Sequence, residues 1–172
     1  MLEVALRRTN GNSQVPRGHG AFPWTWVQGD AFFLPVPDTQ IDLVYTVRFI
    51  KHFCLPDRRR LYAEILRVLK PGGLFILEAQ NRKVSLPHRL SKGLDKYPIY
   101  DELYDRTELV AELESERFGV KEMQGVLNHF EWQVCLNRLR RFRLEGLSYY
   151  LIRALERLQG EPNTWMVLCQ KR

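Results

Sequence analysis

Only a few side chains of this sequence could take part in acid–base or metal chemistry, and its four histidines come first. His52 is the candidate proton acceptor, because the pKa of an imidazole lies near neutrality. It stands in the segment FIKHF, on a predicted helix, so a packed or surface histidine without a chemical role is the alternative interpretation. His19, His88 and His129 show no useful spacing with one another or with acidic residues, and we assign them no role.

The cysteines do not form a metal or disulfide motif. Cys54, Cys135 and Cys169 are odd in number, far apart and without the spacing of a CxxC pair. This pattern argues against a disulfide framework and against a zinc site, so we predict no metal. A reducing compartment suits unpaired thiols, and we expect a cytoplasmic protein.

Composition predicts one globular domain with a basic patch. The chain has 172 residues, of which 45% are hydrophobic, enough for a single core. The net charge is +6, and six arginines fall between Arg138 and Arg157. This patch could meet acidic groups but does not by itself require nucleic acid. No apolar run approaches the roughly 20 residues that cross a bilayer, so we expect a soluble protein.

Helices and strands alternate in the first half of the sequence. The opening segment MLEVALRR predicts the last turns of an amphipathic helix without an N-cap residue before it. A short strand is predicted over 24–28, and a second strand over 41–45 is apolar enough for burial on both faces. A helix over 58–69 is predicted to be capped by Asp57, and KPGG then turns the chain into a strand over 74–79. This order is typical of βαβ units in a mostly parallel sheet.

The segment after the third strand is predicted to be a loop followed by a helix. Residues 80–106 show no period and indicate an ordered loop that could act as a lid. The next helix, over 107–117, has Asp105 and Glu108 placed as in a capping box, and Gly119 is predicted to close it.

The last third of the sequence is predicted to complete the same single domain, residues 1–172. VKEMQGVL predicts a strand, residues 136–158 predict one long or two short helices, and TWMVLCQ predicts the final strand. We therefore expect a helical insert over 128–160 before the last strand.

The most specific stretch of the sequence runs from Val27 to Ala79. Its pieces are Gly29-Asp30-Ala31, Leu34-Pro35-Val36-Pro37-Asp38, Ile41-Asp42-Leu43-Val44, His52-Phe53, Glu64 and Arg67 to Gly73. In order and spacing they resemble the class I methyltransferases that use S-adenosylmethionine, in particular the small-molecule and quinone-type branch. Each piece alone occurs widely, but together they cover about a third of the chain.

The resemblance implies a Rossmann-like, three-layer α/β fold with a mostly parallel sheet and an antiparallel last strand. Family members carry a Gly-rich turn and an acidic strand end upstream of a segment like MLEVALRR, and neither stands in this sequence. Met1 therefore aligns with an internal position, and we expect an N-terminally truncated methyltransferase domain without its first two strands. The remaining strands could form a four-stranded sheet whose exposed edge invites pairing into a dimer.

The resemblance also implies where S-adenosylmethionine would bind. Asp30 would accept a hydrogen bond from the adenine amino group, beside Gly29 and the backbone amide of Ala31. A loop or cap role is the alternative for Asp30. Thr46 and Val47 follow the second strand, where the family passes the methionine portion of the cofactor. Strand-end packing is the alternative for both.

Two functions fit the resemblance. The first is methyl transfer to a small-molecule or lipid-like acceptor, in which the protein mainly aligns the reactants and His52 could accept a proton. The second is a catalytically inactive remnant or half-domain that needs a partner chain. Tyr97, Tyr100 and Tyr104 could line an acceptor pocket, although aromatic packing explains them equally well.

The basic segment RLRRFRLEGLSYYLIRALERL combines a leucine face with the arginine cluster. It could cover the mouth of the site, touch a membrane or lipid surface, or recognise an acidic acceptor. An amphipathic helix over the sheet with a solvated basic face is the alternative. No nucleic-acid binding module is recognised, so no specific nucleic-acid partner is expected.

Overall fold

The computed structural model describes residues 27–138, 141, 143–158 and 160–172. The predicted opening helix lies outside these residues, as does most of the strand predicted over 24–28. Val27 and Gln28, which the structure does describe, are not in a strand. That part of the prediction is wrong.

The chain divides into two compact units between Pro35 and Val36, and all the helices and strands named here belong to the second. In chain order they are β1 (Ile41–Thr46), a 3₁₀ helix (Ile50–His52), α1 (Leu55–Val68), β2 (Leu69–Asn81), α2 (Arg82–Lys92), a second 3₁₀ helix (Leu94–Lys96), β3 (Leu103–Tyr104), α3 (Arg106–Ser115), β4 (Phe118–Asn128), α4 (Phe130–Asn137), α5 (Glu145–Glu156) and β5 (Pro162–Lys171).

The strands form one sheet in the order β1-β2-β5-β4, and the short β3 pairs with the carboxyl end of β2. β1 and β3 are parallel to β2, whereas β5 runs antiparallel to both β2 and β4. Only β5 is therefore reversed. The predicted Rossmann-like α/β fold, mostly parallel with an antiparallel last strand, is confirmed, although the sheet has five strands instead of four.

β1 is an outer strand of this sheet. It pairs with β2 on one side, and no described residue pairs with its other side. Leu43 is 45% exposed and Tyr45 is 70% exposed, so the expected burial on both faces is wrong. The apolar run of β1 leaves large side chains in contact with solvent.

α1 begins earlier than predicted, at Leu55, and Cys54 takes the N-cap position in place of Asp57. Pro56 suits the first turn, because its missing N–H would have no helical partner there. Asp57 lies inside that turn, where its carboxylate accepts a hydrogen bond from Cys54 Sγ at 3.3 Å. The prediction of a helix is confirmed, and the predicted cap is wrong.

β2 begins directly after α1, so KPGG belongs to the strand and does not precede it. Ile41 lies opposite Leu69 and Leu43 lies opposite Leu74, which leaves an irregular stretch in β2 between the two pairs. Gly72 in this stretch has a φ of 72°, a conformation that glycine adopts without a Cβ clash.

α2 replaces part of the loop predicted over 80–106. The side chain of Asn81 caps it by accepting the N–H of Lys83 at 3.0 Å, and Gly93 ends it with a φ of 93°. Pro87 lies inside α2, where a proline removes one helical hydrogen bond. The sequence indicated a loop because residues 80–106 show no clear period, and Pro87 is one of the two prolines in that segment.

α3 lies where a helix was predicted, but its start and its end differ from the prediction. Asp105 makes no side-chain cap and binds Arg82 at 2.7 Å instead. The hydrogen bond from Arg82 also lowers the pKa of Glu108, whose carboxylate accepts the backbone N–H of Asp105 as in half of a capping box. Gly119 does not close the helix, because it lies within β4.

Two short helices, α4 and α5, separate β4 from β5, which is one of the two arrangements predicted for this segment. They contact each other through Ser148 Oγ, which donates to the carbonyl oxygen of Leu136 at 3.1 Å. None of the helices in the described part of the chain is long and apolar enough to cross a bilayer.

The buried core lies between one face of the sheet and the helices α1 and α3. Tyr62, Phe75 and Phe118 are fully buried, with ring centroids 5.1 to 6.3 Å apart. Leu109 and Leu113 of α3 are buried as well. The sheet's other face is only half-buried; its apolar residues include Leu74, Ile76, Met166 and Leu168.

Arg58 lies inside this core, although arginines of amphipathic helices usually lie on the solvent side. It is 3% exposed, and its guanidinium donates to both carboxylate oxygens of Glu112, at 2.9 and 2.7 Å, and to Glu102 at 2.9 Å. Burial alone would lower the pKa of Arg58, but the hydrogen bonds to Glu112 and Glu102 raise it above its ordinary value. The charged pair joins α1 to α3.

We expect Arg58→Met to lower the free energy of unfolding by about 3 to 5 kcal/mol, because the Glu112 carboxylate would stay buried without its cation. Arg59→Met is the matched control. Arg59 is 58% exposed and pairs with Glu116 at 3.0 Å, so its loss should cost at most about 1 kcal/mol. Urea denaturation measures both values, and equal losses would contradict a structural role for the buried pair.

Candidate functional site

A buried polar atom without a partner lies where β1 ends. Thr46 is the last residue of β1, and its Oγ1 is buried with no hydrogen-bond partner among the described residues. Buried hydroxyl groups are normally paired, because leaving one unpaired costs about 1 to 3 kcal/mol. Three other buried polar side-chain atoms of the described residues also lack a partner, and that of Thr46 is the one at the carboxyl end of β1.

The chain bends directly after Thr46. Arg48 has a φ of 53°, and its backbone N–H donates to Glu78 Oε2 on β2 at 2.8 Å. Val47 lies between these residues and is 52% exposed. The bend thus presents an apolar side chain beside the unpaired hydroxyl. The predicted cofactor contacts of Thr46 and Val47 stay predictions.

Gly29, Asp30 and Ala31 stand in a tight turn of the first compact unit. Asp30 Oδ1 accepts the backbone N–H of Phe32 at 2.9 Å, and the Asp30 side chain is exposed. A Cβ on Gly29 would lie 2.6 Å from Pro35 Cδ, so the turn has no room for a larger residue there. The turn is well defined by itself, and the predicted contacts of these three residues with a cofactor stay predictions.

His52 lies on the first 3₁₀ helix, which follows the bend, and not on an α-helix. Its Nδ1 is 3.1 Å from the carbonyl oxygen of Tyr100 and 2.8 Å from Asp101 Oδ1. Both atoms are acceptors, so Nδ1 carries the proton, and Nε2 keeps its lone pair in the neutral imidazole. The side chain is 35% exposed. His52 can therefore accept a proton at Nε2, and its catalytic role stays a prediction.

Asp101 belongs to this group of residues, and the sequence did not predict it. Its side chain is 13% exposed and faces three basic side chains. These are His52, Arg89 at 2.5 Å and Lys51 at 3.7 Å, the last being 4% exposed at its side chain. The partners are distant in the sequence, so no local spacing could have revealed the cluster. Asp101 holds the two segments around His52 together by charge.

The three tyrosines proposed for an acceptor pocket have different neighbours. Tyr104 is 3% exposed and lies under the guanidinium of Arg58, 5.4 Å from the ring centroid. The ring of Tyr97 packs on Arg89 at 5.0 Å, and Tyr100 is 52% exposed. Aromatic packing therefore accounts for Tyr104 and Tyr97.

A cleft of about 1040 Å³ opens beside the first residues of α2 and α3 and the last residues of β4. Its lining includes Lys83, Arg106, Glu108, Met123, Glu161 and Trp165. None of the predicted site residues lines it. This cleft is therefore separate from the group around Thr46 and His52.

The sequence is similar to those of known proteins. Residues 1–77 match the family model of a methyltransferase domain. A probable S-adenosylmethionine-dependent methyltransferase of Mycolicibacterium smegmatis is 32% identical over 100 residues, which are 58% of this chain and 37% of that protein. A sterol 24-C-methyltransferase of Yarrowia lipolytica is 31% identical over 108 residues, 59% of this chain and 28% of that protein. The chain spans about a third of the length of these relatives.

Solved structures share the fold. The crystal structure of a Thermotoga maritima S-adenosylmethionine-dependent methyltransferase, described as a possible histamine N-methyltransferase, is similar with a TM-score of 0.57. The match covers 85% of this chain and 63% of that chain at 20% sequence identity. At this identity the likeness concerns the fold alone.

Fold and motif together define a methyltransferase sheet of the Rossmann-like type. As the stretch from Val27 to Ala79 predicted, this chain is similar to the class I S-adenosylmethionine-dependent methyltransferases. The cofactor that this family implies is S-adenosylmethionine. The unpaired Oγ1 of Thr46 fits a cofactor at the carboxyl end of β1.

Proposed function

We propose that this chain transfers a methyl group from S-adenosylmethionine to a lipid-like acceptor. The observation that carries the proposal is the buried, unpaired hydroxyl of Thr46 at the carboxyl end of β1. Ligands of doubly wound sheets bind at this edge. Thr46 would hydrogen-bond the cofactor, and Val47 would pack against it. For the first compact unit by itself, the motif supports a contact of Asp30, with Gly29 and Ala31, to adenine.

The chemistry requires little of the protein beyond alignment. S-adenosylmethionine supplies a methyl group on a positively charged sulfur, which is already activated for displacement. The residues of this chain would hold the acceptor in line with that methyl group. Where the acceptor loses a proton, His52 would accept it at Nε2. Asp101 would keep the imidazole in place from its Nδ1 side.

Two observations support a lipid-like acceptor. A relative with 31% identity over 108 residues is a sterol 24-C-methyltransferase. In addition, Leu43, Tyr45 and Val47, on and just after β1, leave apolar side chains exposed. Such a surface suits an apolar molecule better than a small charged amine.

The side of β1 that no described residue covers favours a second function, a half-domain that binds the cofactor only together with a partner chain. An outer strand presents unpaired N–H and C=O groups to which another strand can bind. A strand added there would extend the sheet next to Thr46, and the same partner could cover Leu43 and Tyr45. The partner would then complete the cofactor site.

The thiols support a reducing compartment, and we propose the cytoplasm. Cys54, Cys135 and Cys169 are all free. Burial raises the pKa of Cys169 to about 12, so this side chain stays a neutral thiol.

Titration of the full chain with S-adenosylmethionine should release measurable heat and raise the melting temperature. Thr46→Val keeps the volume and removes the hydroxyl, so it should weaken binding about tenfold. Asp30→Asn should weaken binding by a similar factor. Asp42→Asn is the matched control, because it removes one negative charge as Asp30→Asn does. Asp42 is 81% exposed and pairs with Lys70. This control should bind as tightly as the natural sequence.

Two results of this titration would contradict the proposal. If Thr46→Val binds S-adenosylmethionine with unchanged affinity, Thr46 does not contact the cofactor. If a chain that melts cooperatively shows no binding at millimolar cofactor, only the half-domain function remains. Light scattering should then show whether two copies of the chain associate.

Methyl-labelled S-adenosylmethionine, offered with a sterol dispersion or with histamine in separate reactions, tests the acceptor class. We expect label in the sterol and none in histamine. His52→Gln should lower the rate about a hundredfold or more without changing cofactor affinity, because only proton transfer is lost. Labelled histamine would overturn the lipid-like acceptor, and an unchanged rate would exclude His52 as the base.

A further inference from the structure

One side of α5 presents large apolar side chains to solvent. Leu147, Tyr150 and Leu151 are 51%, 71% and 38% exposed, and Leu158 just beyond the helix is 57% exposed. Their spacing of three, four or seven residues places them along one side. A neighbouring side of α5 faces the protein, since Ser148 is 2% exposed, whereas Tyr149 on the opposite side is 57% exposed. An apolar stripe of this kind indicates a surface that meets something other than water.

Positive charge lies beside the stripe. Arg153 and Arg157 follow Tyr150 along the helix, and a shallow notch of about 300 Å³ is lined by these three residues and Ala154. Of the arginines before α5 that the structure describes, Arg138, Arg141 and Arg143 are exposed as well. Among the described residues none of the five arginines forms an ion pair. Their charge is therefore available to an external anion.

We infer that the stripe of α5 and its arginines dock this chain onto the surface of an anionic lipid bilayer. Tyr150, Leu147 and Leu151 would enter the boundary between headgroups and acyl chains, while Arg153 and Arg157 would contact phosphate groups. A helix that lies in the bilayer surface combines these two features, an apolar side and a basic border.

Charge favours the bilayer over other occupants of this surface. A symmetric contact between two copies would bring the same arginines together across the interface, where like charges repel. A nucleic acid would neutralise the arginines but would leave the leucines without an apolar partner. The inference goes beyond methyl transfer, because α5 carries none of the residues proposed for the cofactor site.

Co-sedimentation of the full chain with lipid vesicles tests the inference. We expect binding to vesicles that mix phosphatidylcholine with phosphatidylglycerol, and little binding to phosphatidylcholine alone. Arg153→Gln combined with Arg157→Gln should lower the partition coefficient about tenfold or more, because each arginine near such a surface contributes roughly fivefold. Tyr150→Ser should lower it about fivefold or more through the lost apolar area.

Two matched controls separate docking from general exposure and charge. Tyr45 on β1 is 70% exposed, close to the 71% of Tyr150, so Tyr45→Ser removes an equally exposed ring elsewhere. Arg59→Gln with Arg60→Gln removes the same charge from two residues that are each 58% exposed on α1. Neither control should change vesicle binding, and melting temperatures should show that every variant is folded.

Several outcomes would overturn the inference. The full chain could stay in the supernatant and not sediment with the vesicles. Alternatively, the control variants could bind vesicles as weakly as the α5 variants do. A salt-sensitive shift with an oligonucleotide and no vesicle binding would assign the arginines to nucleic acid. A dimer that Tyr150→Ser dissociates, again without vesicle binding, would assign the stripe to a second copy.

Discussion

The hydrogen bonds of β1 fall on one side: the strand pairs with β2, and no described residue pairs with its other edge. β2 and β5, by contrast, are paired along both edges. In a doubly wound sheet the ligand lies at the carboxyl edge, so the outer strand also forms a border of the site. Thr46, the last residue of this strand, also has a buried hydroxyl without a partner among the described residues.

Stability and the site depend on the same few segments. The buried pair of Arg58 and Glu112 joins α1 to α3, and Arg58 also binds Glu102. The backbone N–H of Glu102 donates to the carbonyl oxygen of Lys51 at 2.7 Å, next to His52. The position of the imidazole is therefore set by helix packing as well as by Asp101. A change in the core would reach the proposed base through this segment.

Some of this arrangement could be predicted from the sequence, because β1, the second half of β2 and β5 are apolar runs and the resemblance implied the order of the strands. The buried role of Arg58 could not, since helical periodicity treats an arginine as outward and its partners lie 44 and 54 residues away. The role of Asp101 could not be predicted for the same reason. α2 was predicted to be a loop because its segment shows no clear period and contains Pro87. Contacts across long separations, and not local pattern, determine these positions.

Amide hydrogen exchange along β1, read residue by residue by NMR in the full chain, tests the uncovered edge most directly. Successive N–H groups of a strand point to opposite sides. Every second amide of Ile41–Thr46 should therefore exchange slowly, where it bonds to β2, and those between should exchange nearly as fast as in an unfolded peptide. Slow exchange at all of these amides would show that the outer side of β1 is already paired, and would contradict the account.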